Sequence, residues 1–183
     1  FRLPPGISAV NLASLPPRPE RALRPGQSAL FDDLLAATPT WDDIARLQAD
    51  TRLPLILKGI LHPDDARQAA RLQVGGLIVS NHGGRTLDAA PPTADCLPRI
   101  ANALQGSLPL LVDGGIRRGT DVLKALALGA SAVLVGRPYI FGLANAGAQG
   151  VAHVIRLLRD ELEIAMALCG VATLDTLPDD LLI

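Results

Sequence analysis

One pattern recurs four times in this chain and restricts its fold more than any other: a short apolar run, a turn rich in glycine or charge, then a segment with helical spacing. The runs are Leu53-Pro54-Leu55-Ile56-Leu57-Lys58, Gly76-Leu77-Ile78-Val79-Ser80, Leu108-Pro109-Leu110-Leu111-Val112-Asp113 and Ala132-Val133-Leu134-Val135-Gly136. They are apolar at successive positions, not alternate ones. That suits parallel strands covered on both faces. Helices are expected from Pro63 to near Gly75, from about Thr93 to Gln105, from Thr120 to Leu128 before Gly129, and from about Ala148 to Leu168 before Gly170. A further helix precedes the first strand. Thr40 is its N-cap, Asp42 and Asp43 fall in its first turn, and Trp41 and Leu47 are expected in the core.

Right-handed strand–helix units build either a doubly wound sheet or a barrel. The position of the chemistry favours the barrel. Lys58, Ser80 to Arg85, Asp113 to Arg117 and Gly136-Arg137 all follow or end a strand, and barrel enzymes keep their sites at the C-terminal ends of strands. A complete (β/α)8 barrel needs eight strands and typically about 250 residues. The chain has 183 residues and four such strands, so the expectation is the second half of a barrel, over residues 39–183. Residues 1–38 carry Pro4, Pro5, Pro16, Pro17, Pro19 and Pro25 among charged residues and are expected to be a flexible loop or lid. The first residue is Phe1, not Met, which fits a fragment, a processed product or the ordered part of something longer.

Bulk properties remove several classes of function. Lys plus Arg is 17 and Asp plus Glu is 18, so nothing in the charge balance points to nucleic acid or an anionic membrane surface. No apolar run approaches the ~20 residues of a membrane helix. Hydrophobic residues make up 49% and mean hydropathy is +0.30, which excludes a disordered chain. Cys96 and Cys169 have neither CxxC nor zinc spacing and are read as reduced thiols. There is no metal-ligand cluster. His62 is read as the residue that opens a helix, His153 as surface or packing, and Arg118 and Lys124 as solvated helix charges.

Three strand-end motifs remain. In Ser80-Asn81-His82-Gly83-Gly84-Arg85, an imidazole that can take a proton near neutral pH stands three residues from a guanidinium that can grip a carboxylate. The bland alternative is a histidine shaping a turn beside a surface arginine. Lys58 either meets an anion or snorkels into solvent. Asp113-Gly114-Gly115-Ile116-Arg117 and Gly136-Arg137-Pro138 occupy the usual phosphate position of barrels, where glycine-loop N–H groups and a helix N-terminus bind the anion. Arg117 and Arg137 can add charge there, and Asp113 can accept hydrogen bonds from sugar-alcohol hydroxyls.

These segments resemble the FMN-dependent α-hydroxy acid oxidising family, which includes glycolate oxidase, L-lactate dehydrogenase and oxidase, lactate monooxygenase and mandelate dehydrogenase. Leu53 to Gly59, Ser80 to Arg85, Asp113 to Val122, Gly136 to Pro138 and the stretch around Glu161-Leu162-Glu163 carry the resemblance. It implies a (β/α)8 barrel with FMN as cofactor and an L-2-hydroxy acid as substrate. By the same resemblance His82 is the base that takes the substrate proton, and Arg85 binds the carboxylate. Lys58 lies at flavin N1 and O2, Ser80 contacts the flavin ring, and Asp113 binds the ribityl chain. Gly114, Gly115, Arg117, Gly136 and Arg137 form the phosphate site.

In that family a first half supplies substrate-facing tyrosines, an aspartate partner for the histidine and more flavin contacts. Tyr139 is the sole tyrosine here. The expected partners are therefore the missing N-terminal half of the barrel, or further copies in a homo-oligomer, together with an acceptor that is oxygen, a quinone or a cytochrome. Location follows the acceptor, cytoplasmic or peripheral to the inner membrane. A non-catalytic half-barrel holding FMN or another phosphate ligand is the alternative. So is a different barrel class that binds a phosphorylated substrate without flavin.

Overall fold

The computed structural model describes residues 4–8, 10–16, 24–28, 31–32, 35, 38–178 and 180–182. The chain divides into two compact units, Phe1–Ile44 and Ala45–Ile183. In the first, a 3-10 turn spans Val10–Leu12 and local turns are closed by Ile7 N–H to Pro4 C=O (3.1 Å) and Gln27 N–H to Arg24 C=O (3.0 Å). Several prolines of the expected loop lie outside the described residues.

Helix α1 (Trp41–Asp50) starts where the sequence places it. The Thr40 N–H donates to Asp43 Oδ2 (2.7 Å) and the Asp43 N–H to Thr40 Oγ1 (3.4 Å), a reciprocal cap that satisfies two otherwise orphaned donors. The core placement of Trp41 and Leu47 is not realised. No residue of α1 is buried and Leu47 is 51% exposed, because nothing among the described residues covers that stripe of the helix.

The second unit alternates strand and helix: β1 (Ile56–Ile60), α2 (Pro63–Arg71), β2 (Gly76–Val79), α3 (Thr93–Leu104), β3 (Leu110–Val112), α4 (Gly119–Ala127), β4 (Ala132–Val133) and α5 (Arg137–Leu168). The four strands form one parallel sheet in the order β1-β2-β3-β4. The order never reverses, as it must at the switch point of a doubly wound sheet. Sequential order is what a barrel wall requires. Leu77, Val79, Leu110 and Val112 on the two central strands pack with Leu97, Ile100 and Leu104 of α3 and Ala66 and Ala69 of α2, all buried. His62 caps α2 as expected, its Nδ1 accepting the Asp64 N–H at 3.2 Å. No helix among the described residues is long and apolar enough to cross a membrane.

Several boundaries differ from the sequence reading, most of them for a backbone reason. The first strand begins at Ile56, since Pro54 has no N–H to give a ladder. It continues past Lys58 through Gly59, whose φ of +98° takes up a register shift between Lys58 and Ile60. Lys58 thus sits within the strand, not at its end. Strand β4 has only two ladder residues, although the Leu134 N–H still reaches the Val112 carbonyl at 2.9 Å. The last helix starts at Arg137, not Ala148, because Pro138 is tolerated in a first turn. Its two legs meet at a kink at Ala146 and Gly147, where Gly147 has φ +57°.

Beyond the kink the second leg folds back on the first. Gly142 and Gly150 cross there, so close that a Cβ on Gly150 would overlap the Gly142 carbonyl oxygen. Gly150→Ala is expected to cost about 2 kcal/mol of stability through overpacking, read as a lowered midpoint in urea denaturation. An unchanged midpoint would mean that the two legs are not in this contact.

Candidate active site

Groups from three neighbouring strands are joined in one chain of hydrogen bonds through Ser80 and Lys58. Ser80 follows β2 and is 2% exposed. Its Oγ accepts from Lys58 Nζ (2.5 Å) and from the His82 N–H (3.1 Å). The Lys58 ammonium also donates to Asp113 Oδ2 at 2.5 Å. Asp113 extends β3 by one residue, its N–H donating to the Val79 carbonyl (3.1 Å), and the Thr93 hydroxyl at the start of α3 donates to its C=O (2.7 Å). The acid is therefore fixed from both sides.

Among the described residues, two buried side-chain acceptors are left over. Asp113 Oδ1 and Asn81 Oδ1 have no hydrogen-bond partner. A buried oxygen of this kind is costly unless a ligand supplies the donor. Asp113 thus offers one oxygen to lysine and leaves the other without a donor.

The loop after Ser80 is a left-handed turn. His82, Gly83 and Gly84 have φ of +56°, +68° and +71°, and the Gly84 N–H closes the turn on the Asn81 carbonyl at 3.0 Å. Glycine adopts this conformation freely, whereas for histidine it costs about 1 kcal/mol, a strain typical of functional positions. The bond from the His82 N–H to Ser80 helps to hold it. A Cβ on Gly83 would come 3.7 Å from Arg137 Nη2, so the turn lies beside the start of α5.

Lys58, His82, Arg85, Asp113, Arg137 and Tyr139 line one cavity of about 360 Å³, floored by Gly83, Gly114, Gly115 and Gly136. Three cationic side chains face one carboxylate there. Among the described residues neither Arg85 nor Arg137 has an ion-pair partner. The cavity is suited to an anionic, polyhydroxylated ligand together with a small carboxylate. An adjoining hollow of about 440 Å³ shares Gly114, Gly115 and Arg137 and reaches Asn81, Thr93 and Lys124. Lys124, expected as a solvated charge, lies on its wall.

Eight of the ten residues singled out from the sequence meet in the cavity: Lys58, His82, Arg85, Asp113, Gly114, Gly115, Gly136 and Arg137. Ser80 lies beneath it and acts through Lys58 and His82. Arg117 is exposed and does not line it. The first amides of α4 are also occupied. The Arg117 and Arg118 N–H groups donate to Asp121 Oδ2 (2.9 and 3.0 Å), and the Gly119 N–H to Glu161 Oε2 (2.9 Å). At the start of α5, by contrast, the N-cap Gly136 brings no capping side chain. Sequence reasoning missed Asn81, Tyr139, Asp121 and Glu161. Asp121 carried a local signal, three residues after Arg118 at the box position of a helix start, while Asn81 and Glu161 lay in stretches already singled out but were given no role.

Ser80→Ala leaves the His82 N–H without its acceptor and removes one of the two partners of Lys58. It is expected to cost about 1–2 kcal/mol of stability, measured by denaturant titration. A cost near zero would show that neither bond is formed.

The FMN-dependent dehydrogenase family model matches residues 1–183. An L-lactate oxidase from Roseobacter sp. (strain GAI101) is 52% identical over 182 residues, covering 100% of this chain and 49% of that protein. The 2-hydroxyacid oxidase 1 of Homo sapiens is 45% identical over 174 residues, covering 93% of this chain and 47% of the relative. Among solved structures, a mandelate oxidase with (S)-2-phenylpropionate is 51% identical with a TM-score of 0.73, over 75% of this chain and 41% of that one. The chain spans about half the length of the curated relatives it matches.

Proposed function

The chain belongs to the FMN-dependent dehydrogenase family, a (β/α)8 barrel fold of which it supplies four strand–helix units, and on that premise we propose that it carries the base, carboxylate clamp and phosphate grip of an enzyme oxidising an L-2-hydroxy acid to the 2-oxo acid. The observation that carries this reading is the convergence of His82, Arg85, Lys58, Asp113 and Arg137 on one cavity at the strand ends.

The residues present fit FMN. The unpartnered Asp113 Oδ1 suits a ribityl hydroxyl. The Gly114-Gly115 loop, with φ of +90° and +79°, lets backbone approach a phosphate, and Arg137 at the start of α5 adds charge. Arg117 stands close in sequence but outside the cavity wall, so its contribution is a longer-range charge. Lys58, held by Ser80 and Asp113, would offset negative charge on the electron-rich edge of the ring. When bound, FMN supplies the two-electron acceptor.

The chain's own residues do the rest. The Arg85 guanidinium takes the substrate carboxylate in a paired hydrogen bond and fixes its orientation. An imidazole nitrogen of His82 then removes a proton from the bound acid. The strained turn and the Ser80 bond to its N–H keep the imidazole aimed at the cavity in the absence of substrate.

The other barrel half completes this site. Strands β1 and β4 each have a free edge, and beside β4 an apolar hollow of about 540 Å³ is lined by Val133, Val135, Val151, Val154 and Ile155. Such edges and hollows need cover. The expected substrate discrimination falls to that other half, where further substrate-facing groups reside. Relatives named as oxidases favour oxygen over a quinone or cytochrome as the electron acceptor.

His82→Ala in the complete flavoprotein is expected to leave FMN bound and to slow anaerobic flavin bleaching by L-lactate, glycolate or L-mandelate by about 10²–10⁴-fold. Bleaching at the normal rate would remove His82 from the mechanism. Arg85→Lys, which keeps the charge but loses the fork, is expected to raise KM for the same acids by about tenfold. An unchanged KM would place the carboxylate elsewhere.

A further inference from the structure

Glu161 lies on the second leg of α5, outside both the cavity and the adjoining hollow. Its Oε2 accepts the N–H of Gly119, the first residue of α4, across 42 positions of sequence at 2.9 Å. Oε1 stands 3.7 Å from Arg118 Nη1, an exposed pair of little energetic weight. The bond to Gly119 is different in kind. It is charge-assisted and part-buried, and it satisfies a helix donor that would otherwise be orphaned.

Gly119 also has no room for a side chain. A Cβ there would overlap the backbone of Glu161 and Leu162, so α4 and α5 touch main chain to main chain. Four residues before Gly119 stands Gly115, the second glycine of the cavity floor. The intervening amides of Arg117 and Arg118 are pinned by Asp121. Setting the start of α4 therefore sets the end of the glycine loop.

The other face of the cavity depends on the same helix. Arg137 opens the first leg of α5. That leg is joined to the second by the close Gly142–Gly150 crossing. The second leg thus crosses the first leg, which Arg137 opens, and packs along α4, which follows the Gly114-Gly115 loop. Glu161 is the side chain that closes this brace.

We propose that Glu161 is a positioning residue for the phosphate end of the flavin site, holding the Gly114-Gly115 loop in register with Arg137. This rests on the reading of that cavity as an FMN site. Asp113, which would hold the ribityl chain, is anchored separately by Val79, Thr93 and Lys58, so the brace governs phosphate recognition and not the sugar alcohol.

The test compares FMN with riboflavin, which lacks the phosphate. Apoprotein of the complete flavoprotein is titrated with each by quenching of flavin fluorescence. In Glu161→Ala, FMN affinity is expected to fall about tenfold with riboflavin affinity unchanged. Glu161→Gln, which keeps an acceptor for the Gly119 N–H, is expected to stay within about threefold of the parent. If Glu161→Ala does not fold, Glu161→Met, similar in volume but unable to accept at oxygen, takes its place in the same comparison. Unchanged FMN affinity overturns the proposal. So does an equal fall for both ligands, or failure of both variants to fold, since each makes Glu161 a residue of the fold alone. A parent protein that shows no preference for FMN over riboflavin would instead overturn the reading of the cavity.

Discussion

A single buried hydroxyl joins the sheet to the chemistry. Ser80 accepts from an ammonium on β1 and from the backbone of the His82 turn, while that ammonium reaches on to the carboxylate after β3. In a parallel sheet the ends of neighbouring strands present unpaired groups, and here they are paired to one another through side chains. The arrangement gives the lysine within β1 two hydrogen-bond acceptors. It also sets the start of the turn that carries the histidine, and orients the acid beside it. Without Ser80 the Lys58–Asp113 pair would still join β1 to the end of β3, but the His82 turn would lose its tie to that pair.

Close backbone approach is the second recurring device. At Gly142 with Gly150, and at Gly119 with the backbone of Glu161 and Leu162, a methyl group would overlap main-chain atoms. Glycine is used at these points for contact, where in the His82-Gly83-Gly84 turn it is used for its left-handed backbone. Tight crossings leave little freedom between α4 and the two legs of α5. The cavity floor inherits that rigidity, since its glycine loop leads into α4 and its arginine opens α5. A site for a phosphate needs such support, because amides act on an anion only when they are held in place before it arrives.

Openness is the counterpart of this rigidity. The central strands are buried while β1 and β4 are largely exposed, and α1 buries nothing. Large apolar residues are exposed along α5, Phe141 at 68% and Leu168 at 84% among them. His82 and Arg85 are exposed for the same reason. Four strand–helix units can build a wall and present its chemistry, but they cannot exclude water from it. Exclusion of water is what gives charged groups their strength in a site of this type.

Much of this was legible in the sequence. Unbroken apolar runs gave away the parallel strands, Thr40 and Pro63 marked helix starts through chemistry that acts within a few residues, and the strand-end motifs named eight of the residues that meet in the cavity. All of these signals are local. The strand limit at Pro54 and the added leg of α5 from Arg137 had local signals in their prolines that the apolar runs overshadowed, whereas the register shift at Gly59 and the exposure of Leu47 were not legible, because each depends on what lies beside the segment. The same holds for Glu161 and Gly119. Their bond joins residues far apart in the chain, and no local pattern distinguishes a glutamate that caps a distant helix from one that faces solvent. The sequence determined which groups follow which strands; only the tertiary structure decided that the first amide of α4 is met by Glu161, because folding brings that carboxylate in from 42 positions away.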